Sequence, residues 1–141
     1  MTDRLNRRFP AFLSLGRPGL EYGMQGMQYI ATSSTAENQA LSTSLYVHSI
    51  PNNDDNEDIV SMGTNAARAT ARVVQNTARV MAVQAIALAQ AVEIAGTLEG
   101  LAPHGREFVQ RLRMTLPAIG AQALNGAVDI VKDALFIPPL A

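Results

Sequence analysis

The sequence predicts an all-α chain, and three observations lead to that prediction. Ile59 to Glu93 contains no proline and a single glycine, Gly63, and is dominated by alanine. Two later stretches, His104–Met114 and Ala118–Leu135, carry apolar residues at helical spacing. No stretch shows a convincing strand-like alternation of apolar and polar residues. We therefore expect a long Ala-rich central helix plus shorter helices, which together form part of a multi-subunit helical bundle.

Composition shifts and breaker residues divide the chain into three regions. Residues 1–58 are expected to form an N-terminal arm, a short helix from Met24 to about Leu41, and an acidic loop. Residues 59–96 form the long bundle helix, and residues 97–141 form the C-terminal helices and a tail. We expect these regions to make one incomplete domain that is not independent. The arm is interrupted by five helix breakers: Pro10, Gly16, Pro18, Gly19 and Gly23.

The long helix is the strongest single prediction. Thr64 to Ala95 would span about 48 Å at 1.5 Å per residue. Its first half is amphipathic, while its second half, Val80 to Ala95, is apolar on nearly every face. Such a helix is normally enclosed by protein, and 141 residues provide too few other helices to enclose it. The polar stripe of the first half consists of Arg68, Arg72, Gln75, Asn76 and Arg79.

Glycine and proline also set the boundaries of the C-terminal helices. Gly96 and Gly100 end the long helix, and Pro103 is well placed as the first residue of the next one. Pro117 is expected to start the last helix at Ala118. The residues after Leu135 are expected to form a non-helical tail.

Charge and cysteine content exclude several classes of protein. The chain has 11 Lys plus Arg, 12 Asp plus Glu and no cysteine. The balanced charge argues against nucleic acid as a partner. Without cysteine there is no disulfide scaffold, no thiolate nucleophile and no Cys-ligated zinc. The most apolar stretch, Val80–Ile94, is broken by polar residues and falls short of a spanning helix of roughly 20 residues. We expect a soluble cytoplasmic protein without a membrane partner.

The acidic loop is the most unusual element. Asp54, Asn56 and Asp58 have the spacing of the first calcium ligands in an EF-hand. That motif then requires glycine at its sixth position and glutamate at its twelfth, where this chain has Ile59 and Asn65. We therefore expect no metal. The plainer interpretation is a solvated turn at the N-terminus of the long helix. There the helix dipole stabilises the negative charge of the acids, Asp58 and also Asp54 and Asp55.

The remaining polar residues do not make a complete active site. His48 and His104 have no partner at metal-ligand spacing, and His104 is expected to be an ordinary helix-start residue. The arginines of the arm are expected to face a protein partner, because the chain is neutral and aromatic residues are not interleaved with them. These arginines are Arg4, Arg7 and Arg8.

Five segments, taken together, resemble one enzyme family. Glu57–Arg68 resembles the Gln-Glu-Asp-His-Val-Ser-Met-Gly…Ala-Ala-Arg motif of histidine ammonia-lyases, of which tyrosine and phenylalanine ammonia-lyases and aminomutases carry related versions. Gly19–Gln28 is similar to the family's Gly-Leu-x-x-Gly-Leu-Met-x-x-Gln segment. Further similarity lies in Ser34–Leu41, Val47–Pro51 and Gln75–Ala91. The likeness covers this chain but only the C-terminal part of the family's length.

The resemblance implies a cofactor that this chain does not form. The family uses 4-methylidene-imidazol-5-one (MIO), made from an internal Ala-Ser-Gly in its N-terminal part. The nearest triplets here, Ser14-Leu15-Gly16 and Ser61-Met62-Gly63, have the wrong middle residue. The expectation is therefore a small subunit, inactive alone. It would pair with a larger subunit carrying Ala-Ser-Gly and MIO, in a hetero-oligomer with a tetrameric lyase core.

The resemblance also implies the site residues and the kind of substrate. Glu57 falls at the position of the family's active-site Glu or Gln and is expected to be catalytic; Asn56 and Gln25 are expected to support substrate binding. Carboxylates partly removed from water are suited to proton transfer. Ile59, where histidine lyases commonly have His, favours an aromatic substrate slightly. Tyrosine, phenylalanine and histidine, and lyase or 2,3-aminomutase activity, all stay open. The alternative is a non-catalytic scaffold or regulatory helical subunit.

Overall fold

The computed structural model describes residues 9–17, 20–54, 56–57, 59–119 and 126–136, with Tyr46 as backbone only. Within these ranges it contains four α-helices and no strand longer than a single bridge. The helices are α1 (Gln25–Ala40), α2 (Gly63–Ile94), α3 (Pro103–Thr115) and α4 (Ala127–Leu135). Short 3-10 turns lie at Ala11–Leu13, Leu45–His48 and Leu98–Gly100. The all-α prediction is confirmed.

Helix boundaries follow the breaker residues over most of the chain. At the end of α2, the Gly96 N–H donates to the Glu93 carbonyl at 3.0 Å and the Thr97 N–H to the Val92 carbonyl at 3.1 Å. With Gly96 at φ +64°, this is a Schellman motif, in which a left-handed glycine satisfies the last carbonyls. Pro103 occupies the first turn of α3, where its missing N–H costs nothing.

The predicted start of the last helix was wrong. Ala118 and Ile119 lie outside any helix, and α4 begins at Ala127 after Gly126 at φ +73°. Ile119 is fully buried, and its backbone N–H and carbonyl are both bonded to the Gln90 side chain. Because the Ile119 N–H and carbonyl are already hydrogen-bonded to a side chain, they would gain no hydrogen bond from a helix that starts here. Residues 120–125 of the predicted helix lie outside the described residues.

The hydrophobic core lies between α2 and the other helices. Small residues on the buried face of α2 allow close approach of its neighbours: Ala78, Ala82, Ala85 and Ala89 are all almost inaccessible to solvent. Ile86 is their largest companion on the helix. The rest of the core is contributed by other elements: Leu13, Met24, Met27, Val109, Leu112, Ile119, Ala127, Val128 and Val131.

The polar stripe on the first half of α2 faces other helices of the same chain. Arg72 Nε donates to Glu37 of α1 at 2.9 Å, and the fully buried Asn76 donates to the same carboxylate at 2.8 Å. Arg79 Nε donates to Asp129 of α4 at 2.9 Å. Arg72, Asn76 and Arg79 therefore join α2 to α1 and α4, while Arg68 and much of the Arg72 side chain stay exposed to solvent.

These contacts lower two carboxyl pKa values. The hydrogen bond from Arg72, followed by that from Asn76, lowers the pKa of Glu37 below its ordinary value of 4.5. For Asp129, burial acts to raise the pKa, but the hydrogen bond and charge of Arg79 and the nearby Lys132 outweigh burial and lower it. A pKa that is lower in the folded than in the unfolded chain favours folding above the unfolded value. That stability is lost as the pH falls through the folded value.

We expect the double substitution Glu37→Gln and Asp129→Asn to flatten the acid side of the stability profile. The free energy of unfolding of the original chain should fall more steeply from about pH 5 to pH 3, because only that chain loses two paired carboxylates there. Urea unfolding across this range checks it. Parallel pH profiles for the two chains would show that these pairs contribute nothing to stability.

By length and composition alone, α2 is also apolar enough to cross a membrane. That observation is weak, because core helices of soluble proteins meet the same criterion, and here a third of the most apolar window is buried inside the chain. Three charged residues of α2 bond to other helices of the chain: Arg72, Arg79 and Glu93. These pairs fit a helix that packs against protein.

Candidate functional site

The acidic loop folds into a small hairpin. The Asn52 N–H donates to the Glu57 carbonyl at 3.0 Å, and the Glu57 N–H donates back to the Asn52 carbonyl at 3.2 Å. At its tip, Asn53 and Asp54 have φ values of +56° and +53°. Asn and Asp tolerate this left-handed conformation better than most residues, so the local sequence suits the turn. The Val60 N–H donates to Ser49 Oγ at 2.7 Å and so joins the segment after the hairpin to the segment before it.

Glu57 is fixed through its backbone while its side chain is open to solvent. The expected partial removal of Glu57 from water does not occur within the described part of the chain. The reason is geometric: α2 begins six residues later, at Gly63, so neither the helix nor the core covers the hairpin. Large aliphatic side chains near the hairpin are also uncovered, with Val47, Ile50 and Ile59 exposed by 59%, 69% and 83%.

No acidic residue of the loop belongs to the first turn of α2. The first turn of α2 contains no acidic residue, and its N-cap residue, Met62, makes no side-chain capping bond. Glu57 and Asp54 therefore lie outside the first turn, where the helix dipole acts. Asp55 and Asp58 lie outside the described residues, as do Arg4, Arg7 and Arg8 of the arm.

Asn56 and Gln25 occupy different settings. The Asn56 backbone N–H donates to the Asn53 carbonyl at 3.1 Å, which closes the hairpin turn, and its side chain is exposed. Gln25 is the half-buried first residue of α1 and lines a cleft of about 230 Å³ together with Phe12 and Tyr22. Among the hydrogen bonds found in the described residues, none joins Gln25 to Glu57 or Asn56. The three predicted site residues thus lie on two separate parts of this chain.

The histidines and acids do not gather around a metal. No group of three His, Asp or Glu side chains with metal-ligand geometry occurs among the residues that the structure describes. His104 is the second residue of α3, as expected of a helix-start residue, and its fully exposed side chain lies 4.0 Å from Glu107. His48 is exposed in a 3-10 turn.

The 141 residues contain no Ala-Ser-Gly, the triplet from which MIO forms in the family that the chain resembles. That ring requires a serine between alanine and glycine, and its methylidene group arises when the serine hydroxyl is lost. In Ser61-Met62-Gly63 the middle residue has no hydroxyl, and the triplet runs directly into α2. In Ser14-Leu15-Gly16 the middle residue is leucine, and the Ser14 hydroxyl accepts a hydrogen bond from the Gly16 N–H at 3.2 Å. Neither triplet fits.

A second surface, on α2, was only partly anticipated. Ala67, Val74, Met81 and Leu88 recur every seven residues and are all exposed, and the residues between them on this face are the uncharged Thr70, Thr77 and Gln84. We call these seven residues the outer seam. It extends over about 32 Å of helix. The seven-residue period was visible in the sequence, but the direction it faces depends on where α1 and α4 pack.

The outer seam carries no charge. The four charged residues of α2 lie off it, and three of them pair with other helices of the chain. Val74, Met81 and Leu88 are nevertheless 44%, 45% and 58% exposed. An uncharged seam with seven-residue spacing is typical of a helix that packs against further helices. The exposed seam fits the expectation that α2 packs against helices beyond those described in this chain. These four charged residues are Arg68, Arg72, Arg79 and Glu93.

Comparison with known proteins identifies similar chains. MIO-dependent tyrosine 2,3-aminomutase of Streptomyces globisporus is 39% identical over 136 residues, which are 96% of this chain and 25% of that protein. Tyrosine ammonia-lyase of Cupriavidus metallidurans is 40% identical over 117 residues, 83% of this chain and 22% of that protein. Histidine ammonia-lyase of Geobacillus kaustophilus is 42% identical over 121 residues, 86% of this chain and 24% of that protein.

A comparison with solved structures identifies the same kind of relative as the sequence comparison. The crystal structure of tyrosine aminomutase from Streptomyces globisporus superposes with a TM-score of 0.84 at 39% identity, over 90% of this chain and 24% of that one. The chain therefore spans about a quarter of the length of the relatives it matches. The sequence model of the aromatic amino acid lyase family matches residues 1–114. This chain belongs to the aromatic amino acid lyase family.

Proposed function

We propose that this chain is the small subunit of a split aromatic amino acid ammonia-lyase or 2,3-aminomutase. Its substrate is tyrosine, phenylalanine or histidine, and its larger partner carries Ala-Ser-Gly and MIO. The observation that carries the proposal is family membership, together with an exposed, uncharged face on α2 that a protein partner would cover. The 141 residues contain no Ala-Ser-Gly, and this supports the proposal that MIO forms on the partner.

Two uncovered surfaces support a protein partner. The outer seam of α2 presents Val74, Met81 and Leu88 to solvent along an uncharged face, and burying such side chains against further helices is favourable by about 25 cal/mol per Å² of apolar surface. Exposed aliphatic residues also lie next to the hairpin in sequence, at Ile50 and Ile59. A partner that covers both surfaces would remove water from around Glu57.

Glu57 has the chemistry that the reaction requires of this chain. Elimination of ammonia breaks a carbon–nitrogen bond and removes a proton from the neighbouring carbon. A carboxylate attracts the substrate ammonium and accepts or returns protons. When present on the partner, MIO supplies the electrophile that activates the amino group. The backbone bonds between Glu57 and Asn52 keep the carboxylate at a fixed edge of the hairpin, so docking of the partner would need little reordering.

Purification of the tagged 141-residue chain from its own source tests this assignment. We expect it to co-purify with a larger chain that contains an internal Ala-Ser-Gly. The pair should release ammonia from at least one of tyrosine, phenylalanine and histidine, or isomerise it, while neither chain does so alone. A stable, soluble monomer without such a partner would overturn the split-enzyme assignment.

The second candidate function is a non-catalytic scaffold or regulatory subunit of such a complex. It is favoured by the solvent exposure of Glu57 and by the absence of a bond joining it to Gln25 in the described part of the chain. In that case the complex forms through the outer seam, but its activity does not depend on the Glu57 carboxylate.

A further inference from the structure

Gln90 forms a four-way junction in the interior of the chain. It is fully buried on α2, and its amide nitrogen donates to the carbonyls of Leu13 at 3.3 Å and Ile119 at 2.9 Å. Its amide oxygen accepts from the Ile119 N–H and from Arg113 Nη2, both at 3.1 Å. An amide side chain has two donors and two acceptor positions, so every one of them is used.

Arg113 extends this junction to α3 and to the segment that follows it. Its Nε and Nη2 donate to the two oxygens of Glu93 at 2.7 and 2.8 Å, a bidentate pair that fixes the guanidinium plane. Its Nη1 lies 3.4 Å from the carbonyls of Leu116 and Pro117. Gln90 therefore sits between the N-terminal turn on one side and the residues after α3 on the other.

The N-terminal turn held by Gln90 has an unfavourable backbone. Phe12 and Leu13 both have φ +53°, a conformation that bulky residues rarely adopt and that persists only when surrounding contacts enforce it. The Leu13 side chain is buried, but the only side-chain bond to its carbonyl in the described structure comes from Gln90. Without that bond, the turn would lose a main restraint on its position.

The Phe12–Leu13 turn also fixes the position of the start of α1. The Phe12 carbonyl accepts the N–H of Met24 at 2.9 Å, one residue before Gln25. The backbones approach so closely that a Cβ at Gly23 would lie 2.7 Å from the Phe12 oxygen. Phe12 and Gln25 then line the same cleft. A displacement of the turn is therefore transmitted to Gln25 through a short, tightly packed path.

We propose that Gln90 is a positioning residue that holds the Phe12–Leu13 turn and thereby places the side chain of Gln25. The placement itself depends only on this chain. Its consequence for substrate binding rests on the proposed function, because only there does Gln25 support the substrate. A buried glutamine with all four bonds made to three separate elements is specific enough for this task, whereas an apolar residue of the same size would only fill the space.

Hydrogen exchange on the 141-residue chain tests the placement. Gln90→Met keeps the length of the side chain but removes its donors. We expect exchange at the amides of Leu13, Met24 and Ile119 to accelerate by at least about tenfold more than at Ala82 in the centre of α2. Gln110→Met, at an exposed position of α3, is the matched control and should leave all four amides unchanged. An equal acceleration at all four amides in Gln90→Met would mean that Gln90 only stabilises the fold.

A milder variant covers the case in which Gln90→Met does not fold. Arg113→Lys keeps a cation for Glu93 but cannot reach Gln90, Leu116 and Pro117 at once. It should accelerate exchange at Ile119 and Leu13 in the same selective way, to a smaller extent. If exchange in this variant does not accelerate selectively at Ile119 and Leu13, the proposal is overturned.

A double-mutant cycle in the assembled enzyme tests the link to Gln25. Gln90→Met should raise KM severalfold while kcat changes less than twofold, and it should have little further effect on KM in a Gln25→Ala background. Additive effects on KM would mean that Gln90 does not act through Gln25. If no active assembly exists, the proposed function fails, while the exchange measurements still decide whether Gln90 places the turn.

Discussion

Replacing Glu57 by alanine is expected to lower kcat/KM of the assembled enzyme by about 10²- to 10⁴-fold, the usual contribution of a positioned proton-transfer group. The hairpin should survive the change, since its two bridging hydrogen bonds involve only the Glu57 backbone. Glu57→Gln separates two roles of the carboxylate. An amide can still accept a hydrogen bond from the substrate ammonium, but it cannot carry a proton. If Glu57→Ala loses more kcat/KM than Glu57→Gln, the difference measures how much the carboxylate contributes by orienting the substrate ammonium.

Asp54→Ala is the matched control for this prediction. Asp54 is an exposed carboxylate in the same hairpin, three residues from Glu57, and it lies outside the segments that resemble the family. Its removal should change kcat/KM by less than about threefold, within the range expected for a surface carboxylate. If Glu57→Ala and Glu57→Gln both leave turnover within a few-fold of the original, the scaffold function is favoured.

The second large effect is expected on assembly. Leu88→Glu places a carboxylate in the outer seam and should weaken association with the partner at least about 100-fold, because an unpaired charge would be buried between helices. The folded chain itself should tolerate the change, since Leu88 is 58% exposed. Size-exclusion chromatography with light scattering measures the assembly, and circular dichroism checks the helix content.

Met114→Glu controls for the mere addition of a charge at an exposed apolar position. Met114 lies on α3, is 81% exposed and is not part of the outer seam. It should leave assembly unchanged. Should Leu88→Glu assemble as well as Met114→Glu does, the seam is not the surface that the partner covers.

The sequence predicted α1, α2 and α3 to within one residue at each end. The predicted helix from Thr64 to Ala95 is observed as Gly63–Ile94, because proline is absent from its interior and Gly96 provides a left-handed stop. The Met24–Leu41 helix was also correct, despite its run of serine and threonine. The predicted helix start at Ala118 was wrong, because the Ile119 backbone is bonded to Gln90, from which it is separated by 29 residues.

Long-range polar contacts were beyond the reach of sequence patterns. The polar stripe of α2 was identified, but a helical period cannot reveal that Asn76 faces Glu37, 39 residues away. The Gln90 junction was missed for the same reason, since its bond to Leu13 spans 77 residues and ends on a backbone carbonyl that no side-chain pattern marks.

The candidate site was assigned through a motif and not through local chemistry. Composition and spacing reduced the chain to one carboxylate cluster, and only the family resemblance singled out Glu57 within it. The structure explains why local chemistry was not enough. Glu57 is exposed, Gln25 lies in a separate cleft, and nothing in the described residues joins them.

Titration of this chain into its purified MIO-bearing partner tests the central claim most directly. The rate of ammonia release from tyrosine, phenylalanine or histidine, or of their isomerisation, is followed as the molar ratio rises. We predict no activity for either chain alone, and a rate that rises to a plateau at a fixed stoichiometry. Full activity of the partner without this chain, or a rate indifferent to its addition, would contradict the split-enzyme account.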